Sequence, residues 1–243
     1  KFRGKMSLLQ SGIDWLTDYS QKAVLGTLPY LQDLKLDAED AINLNGSQAS
    51  AQQINIKVPI FSRISNHTDF DPLKWHPQIA LTFVRPGESL LGADLIILPG
   101  TKNVIADCQQ LQNLSWQEEI NRHLRYGGKL LGICGGFQML GQQITDPNHV
   151  EGNTSIIEAL KLLDFTTELT TEKQLKQVTG QFKLGQQTGN INGYEIHCGI
   201  SQGPALQQAF TTITDQNQNN YQDGVVSSDQ QIIGSYLHGL FGI

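Results

Sequence analysis

The sequence is poor in cysteine, with Cys108, Cys134 and Cys198 the only three in 243 residues. An odd number at wide spacing builds no disulfide framework and no C-x-x-C metal or redox site, so a reducing, cytoplasmic setting is expected. The chain also lacks any apolar run near the ~20 residues that cross a bilayer. Its stretch Leu95–Leu98 has only the length of a buried strand, and no signal peptide is visible. Positive charge is scarce and scattered. Lys plus Arg number 17 against 23 Asp plus Glu, for a net charge of -6. Such a surface does not suit a general polyanion binder, so neither nucleic acid nor membrane is expected as a partner. There is no phosphate loop of the form G-x-x-x-x-G-K-[ST] and no internal repeat. Asp69 and Asp71 stand two apart in a loop without further convergent ligands, so no metal is expected.

What is present suffices for one main domain plus a smaller piece: 39% of the residues are hydrophobic. Residues 1–43 read as a compact segment, with a helix over "SLLQSGIDWLTDYS" weakened by Gly12 and a short buried strand in "KAVLGTLPYL" ended by Pro29. The polar stretch "NLNGSQASAQQ" reads as a linker, which divides the chain into residues 1–50 and 51–243. The chain begins at Lys1 and not Met, so an upstream domain is compatible with it. Beyond the linker, "INIKVPI", "QIALTFV", "LIIL" and "GKLLGI" read as strands. "KNVIADCQQL", "SWQEEINRHLRYG" and "GGFQMLGQQI" read as helices, the second capped by Ser115 and ended by Gly127. Strands alternating with helices over short connections predict an α/β fold, a mainly parallel sheet with helices on both faces. The last third, with "LLDFTTEL", "KQVTGQFKL" and "GNINGYEIHCG", predicts a β-rich C-terminal portion.

The segment Gly132-Ile133-Cys134-Gly135-Gly136 lies where a strand gives way to a helix. A nucleophile on so sharp a turn needs small neighbours two residues to either side, and Gly132 and Gly136 meet that need. The turn sets the sulfur over amide N–H groups, which predicts a thiolate and part of an oxyanion hole. The turn after Leu98, at Pro99-Gly100, is a second source of such amides. A thiolate wants a proton shuttle. Of six histidines, His76, His123 and His149 read as surface residues, whereas His197 and His238 follow strand-like segments near the end of the chain. In a parallel-sheet protein both can converge on Cys134, and the pattern alone does not choose between them. Glu195 shares a strand face with His197, so either side chain is a candidate to support the site.

Several stretches together resemble the C-terminal part of cobyric acid synthases: "KFRG", "GTLPYL", "RISNHTDFDPL", "LPGTKN", "GICGGFQMLG", "GYEIHCG" and "YLHGLF". The resemblance implies the flavodoxin-like fold of class I glutamine amidotransferases. It implies Cys134 as the residue that forms a glutamyl thioester and His238 as its partner. It further implies that ammonia from glutamine passes to a separate synthetase domain, which amidates corrinoid a,c-diamide carboxylates with ATP and Mg. Residues 1–50 then look like the tail of that domain, and the amidotransferase part needs no cofactor of its own. Leu240 stands where classical amidotransferases carry a Glu, two residues past the histidine. The resemblance therefore implies a Cys-His dyad, whose unoriented imidazole is a weak base and whose free glutaminase activity is poor. "RISNHTDFDPL" reads as structural and interdomain, with Arg63 paired to an acid and Asn66, Asp69 and Asp71 holding the loop. Two other readings of the same residues stay open: another Cys-His hydrolase of this fold, peptidase or deglycase-like, and an amidotransferase-like module without activity.

Overall fold

The computed structural model describes residues 6–27 and 53–242. They fall in two units, one within residues 1–41 and the other within 42–243. The first holds a 3-10 turn, Met6–Leu8, and helix α1, Gln10–Ser20. α1 forms as its periodicity predicts, despite Gly12. Trp15 and Tyr19, one turn apart, stack with ring centroids at 5.1 Å. The buried strand expected in "KAVLGTLPYL" is not found in its described part: residues 23–27 form no element and Leu25 is 99% exposed. The remainder, with Pro29, lies outside the described residues.

The elements of the second unit are, in chain order, β1 (Ile54–Pro59), a 3-10 turn (His67–Phe70) running into α2 (Asp71–Trp75), β2 (Ile79–Val84), β3 (Leu95–Leu98), α3 (Val104–Asn113), α4 (Trp116–Arg125), β4 (Lys129–Ile133) and α5 (Gly135–Gln138). They continue with β5 (Gln143–Thr145), β6 (Ile156–Glu158), β7 (Thr166–Leu184), β8 (Gln187–Gln202), a 3-10 turn (Pro204–Gln207), β9 (Thr211–Asp215), β10 (Asn220–Asp223), β11 (Val225–Val226), β12 (Ile232–Ser235) and β13 (Leu237–His238).

Two sheets result. The first has six strands in the order β11-β12-β4-β3-β1-β2. All its pairings are parallel except β11 with β12. Successive residues of β3 serve opposite faces, as strand geometry requires. Ile96 and Leu98 join a core with Ile105, Leu111 and Ile120 of α3 and α4, while Ile97 joins a second core with Phe70 and Leu73 beside α2. The sheet is thus covered on both sides, which is why β3, and β4 beyond Lys129, read as apolar runs. The second sheet is mostly antiparallel, in the order β10-β9-β7-β5-β6, with β8 beside β7 and β13 beside β8. It is the β-rich portion expected near the C-terminus.

Four local expectations change. "TTEL" and "KQVTGQFKL" belong to one long strand, β7, whose register against β8 shifts between Leu169 and Gln174. Ser115 lies in the left-handed region and makes no side-chain cap. The entry of α4 is held instead by buried Trp116, whose indole N–H donates to the Glu88 carbonyl at 2.9 Å. The helix expected over "GGFQMLGQQI" is one turn long. Its exit is fixed by amides of Leu160, Leu162 and Leu163, which donate to the carbonyls of Met139 and Leu140, and the chain then enters β5. His123 is not a surface residue: it is buried, with Nε2 2.9 Å from the Lys129 carbonyl, and its ring fills the space over Gly128.

Candidate active site

β4 ends at Ile133, and Cys134 turns the chain into α5 with φ 52° and ψ -110°. A side-chain-bearing residue holds such a conformation only where its surroundings over-determine it. Here the Cys134 amide donates to the Ser235 carbonyl at 2.8 Å, and the Cys134 carbonyl accepts from the Gln138 amide at 3.1 Å. Sterics finish the turn. A Cβ on Gly132 would lie 2.6 Å from the Gly136 carbonyl oxygen, and one on Gly136 would lie 2.1 Å from that of Leu98. Gly135 packs on Thr101, and Gly100 packs on the His238 ring, where a Cβ would stand 2.9 Å from Cε1. The glycines singled out from the sequence are therefore points where three strand ends touch.

The thiol itself is hidden. Cys134 is 6% exposed, and its S–H donates to the Ile196 carbonyl at 3.4 Å. Burial pushes its pKa up to about 12. The Gly135 amide pulls the other way, and the nearby carboxylates of Asp69 and Glu151 add to the rise. The resting group is thus a thiol, not the thiolate expected from the turn. Loss of water outweighs one adjacent amide dipole, and α5 is too short to add more.

His238 arrives from the neighbouring strand. β12 runs parallel to β4 with Ser235 opposite Ile133, and the chain continues through Tyr236 into β13. There His238 pairs in register with Tyr194 of β8, two residues from the Ile196 carbonyl that holds the Cys134 thiol. The imidazole is fully buried, at 0% exposure. Its Nδ1 donates to Asp69 Oδ2 at 2.6 Å, while Asp69 Oδ1 accepts the Gly239 amide at 3.1 Å. That places the proton on Nδ1 and leaves a lone pair on Nε2. Tyr194 stacks on the ring at a centroid distance of 5.3 Å. Asn66 Nδ2 lies 3.1 Å from Nε2 and 3.3 Å from Nδ1.

Asp69 changes the reading of the "RISNHTDFDPL" loop. The loop is stitched to the exit of β3: Ile64 bridges Thr101, the Ser65 amide donates to Gly100 O at 2.9 Å, and the Lys102 amide donates to Arg63 O at 2.9 Å. Asn66 then takes a left-handed conformation, φ 50°, and Asp69 swings inward to 7% exposure. The loop is structural, as expected, and also supplies the acid that orients His238, so the imidazole is not the unoriented one of a dyad. No spacing in the sequence points to this pair. The available signal was the density of Asn, Asp, Ser and Thr in one loop.

The side-chain hydrogen bonds of the two supporting candidates go elsewhere than His238. Glu195 is buried, and its carboxylate accepts the Tyr221 hydroxyl at 2.8 Å. His197 stacks on Tyr236 at 3.8 Å, with Nδ1 2.8 Å from the Gly199 carbonyl. Burial pushes the His197 pKa down to about 4, so its ring is neutral. His197 still lines the cavity of about 250 Å³ into which Cys134 opens, together with Cys198, Glu151, Lys102 and Lys173. Glu151, Lys102 and Lys173 carried no signal in the sequence. Cys108 is packed in the core at 0% exposure. Among the described residues no group of His, Cys, Asp or Glu is placed to hold a metal ion, and no helix is long and apolar enough to cross a membrane.

Among solved structures, the chain is similar to PurLQS from Thermotoga maritima, with a TM-score of 0.55 at 16% identity over 76% of this chain and 87% of that one. It is likewise similar to a structure described as a glutamine amidotransferase, with a TM-score of 0.55 at 16% identity over 77% and 91% of the two chains. At such identities the likeness establishes the fold, which is that of class I glutamine amidotransferases. The profile of the CobB/CobQ-like glutamine amidotransferase domain matches residues 55–242, from β1 through His238 and including both Cys134 and Asp69, and the chain belongs to that family.

Proposed function

We propose that the chain hydrolyses the side-chain amide of glutamine through a thioester on Cys134, and that the ammonia serves ATP-dependent amidation of corrinoid carboxylates by a synthetase domain. The observation that carries this reading is the Asp69–His238 pair at 2.6 Å, with His238 three residues past the end of β12, the strand beside β4 and its Cys134 turn.

The Cys134 thiol proton passes to His238 Nε2 as sulfur attacks the amide carbon. Charge builds on the former carbonyl oxygen, which the amides of Gly135 and the Gly100–Thr101 turn are assigned to meet. The imidazolium returns its proton to the amide nitrogen, the C–N bond breaks and ammonia leaves. Water then attacks the thioester and gives its proton to His238. The C–S bond breaks, glutamate leaves and the thiol is restored. Asp69 keeps Nδ1 protonated throughout and stabilises the imidazolium. In this reading residues 1–50 belong to the tail of the synthetase domain.

A diazo-ketone analogue of glutamine should alkylate Cys134, and free glutamine should protect it. Labelling that glutamine does not slow would favour another acyl donor. In the enzyme complete with its synthetase domain, Cys134→Ala should abolish glutamine-dependent corrinoid amidation and spare amidation from added ammonia. Loss of both would refute the assigned role of the cysteine.

A further inference from the structure

The geometry points to Glu151 as the group that reads the α-ammonium of a free amino acid, facing Lys102 and Lys173, which meet its α-carboxylate. This rests on the glutamine reading and adds what selects the substrate: an uncombined amino acid and not a glutamine within a peptide.

The loop before Glu151 is built to place it. Buried Asp146, at 0% exposure, accepts the amides of Val150 and Glu151, each at 2.8 Å. The Glu151 carbonyl accepts Asn103 Nδ2 at 2.7 Å, and its carboxylate accepts the Ile105 amide at 3.2 Å. The carboxylate therefore stands at the start of α3, on the wall of the Cys134 cavity. Its nearest charged influences are the acids Asp146 and Asp107. Among the described residues it has no ion pair, and neither has Lys102 or Lys173. Lys173 reaches the same cavity because the β7–β8 register shifts between Leu169 and Gln174, which frees residues 170–173 from the ladder. One negative and two positive groups thus share a cavity of about 250 Å³ with a nucleophile, each without a partner of opposite charge. A zwitterion supplies both missing charges, and its side-chain amide is left for Cys134. Glutamine within a peptide has no free α-ammonium and α-carboxylate to meet these charges together. A site with a dedicated acceptor for a substrate N–H rejects the analogue that lacks it, because the acceptor is then buried unpaired.

The test compares second-order rates of Cys134 alkylation by the diazo-ketone analogue of glutamine and by the same compound without its α-amino group. The wild-type chain should prefer the amino compound by about 100-fold. Glu151→Gln, which keeps an oxygen for the Ile105 amide, should cut that preference, read as the ratio of the two rates within the same protein, to a few-fold. An intact preference, or an equal fall in both rates, overturns the assignment, the latter outcome marking Glu151 as loop support only. Lys173→Gln, at an exposed position, gives an independent check should Glu151→Gln fail to fold. It should erase the preference for an α-carboxylate over an α-carboxamide, and an unchanged preference counts against the clamp. If the wild-type chain is labelled by neither compound, the glutamine reading itself falls, which is distinct from labelling that ignores the α-amino group.

Discussion

Asp69 Oδ2 lies 2.6 Å from His238 Nδ1, joining residues 169 apart in the chain. The carboxylate is spent entirely on this corner, since its other oxygen takes the Gly239 amide. An Asn at 69 would present an N–H₂ or a carbonyl to Nδ1, and either the tautomer or the ring orientation would be lost. Asp69→Asn should therefore lower kcat for glutamine hydrolysis by about 10³- to 10⁴-fold with little change in KM. Steady-state kinetics on the folded variant decide it. A loss under tenfold would show that His238 needs no orienting acid, as in the dyad that the family resemblance implied.

The glycines divide into those that hold the fold and one that guards the imidazole. Gly136→Ala drives a Cβ to 2.1 Å from the Leu98 carbonyl oxygen, backbone against backbone, with no flexible side chain to give way. It should destabilise the chain by about 3 kcal/mol or more, seen as a lower urea midpoint. Gly100→Ala meets the His238 ring at 2.9 Å and the Ser65 hydroxyl at 3.0 Å, both of which can shift by tenths of an ångström. Its midpoint should stay nearer that of wild type while glutaminase kcat falls. The opposite ordering of the two midpoints would contradict this division.

What the sequence discloses and what it hides follow from distance along the chain. The Cys134 turn is legible because its steric demands fall on Gly132 and Gly136, two residues away, and β3 and β4 are legible because burial on both faces leaves Leu95–Leu98 and Leu130–Ile133 without a polar side chain. Asp69 is hidden because its partner lies at the other end of the chain and its neighbours Asn66 and Asp71 look equally suited to hold a loop. Glu151 is hidden for a related reason: only the folding of the Asp146 loop against Asn103 brings it to the cavity. The burial of His123 is hidden because the charged residues of α4 mask one buried ring over Gly128. The resting thiol is hidden because local amides can be inferred from a turn, whereas the depth of burial that opposes them belongs to the whole fold.

Glu151 gives the substrate clamp a pH dependence of definite sign. Burial raises its pKa from 4.5 to about 7, with Asp146 and Asp107 adding to the rise and the Ile105 and Val104 amides opposing it. Lys102 and Lys173 face the same cavity. Above pH 7 Glu151 is an anion that can pair with an ammonium, and below it the protonated carboxyl cannot. KM for glutamine should therefore rise as pH falls from about 8 to 6, and Glu151→Gln should flatten that rise. A KM that falls toward acid pH would reverse the sign and remove Glu151 from substrate binding.

The buried thiol predicts how Cys134 responds to reagents that bring no binding energy of their own. Its pKa is raised from 9.0 to about 12, so the proton is kept to higher pH than in an exposed cysteine. At pH 8 about one molecule in 10⁴ carries the thiolate, and that fraction grows about tenfold per pH unit until pH nears 12. Iodoacetamide should therefore modify half-buried Cys198 before Cys134 at pH 8, and the Cys134 rate should climb steadily with pH, followed by mass spectrometry of the peptides. A diazo-ketone analogue of glutamine should escape this limit, because in the proposed reaction the thiol proton passes by way of His238 to the diazo carbon as the C–S bond forms and N2 leaves. Rapid alkylation of Cys134 by iodoacetamide, level above pH 7, would instead mean a thiolate already formed at rest, with the amides of the turn prevailing over burial.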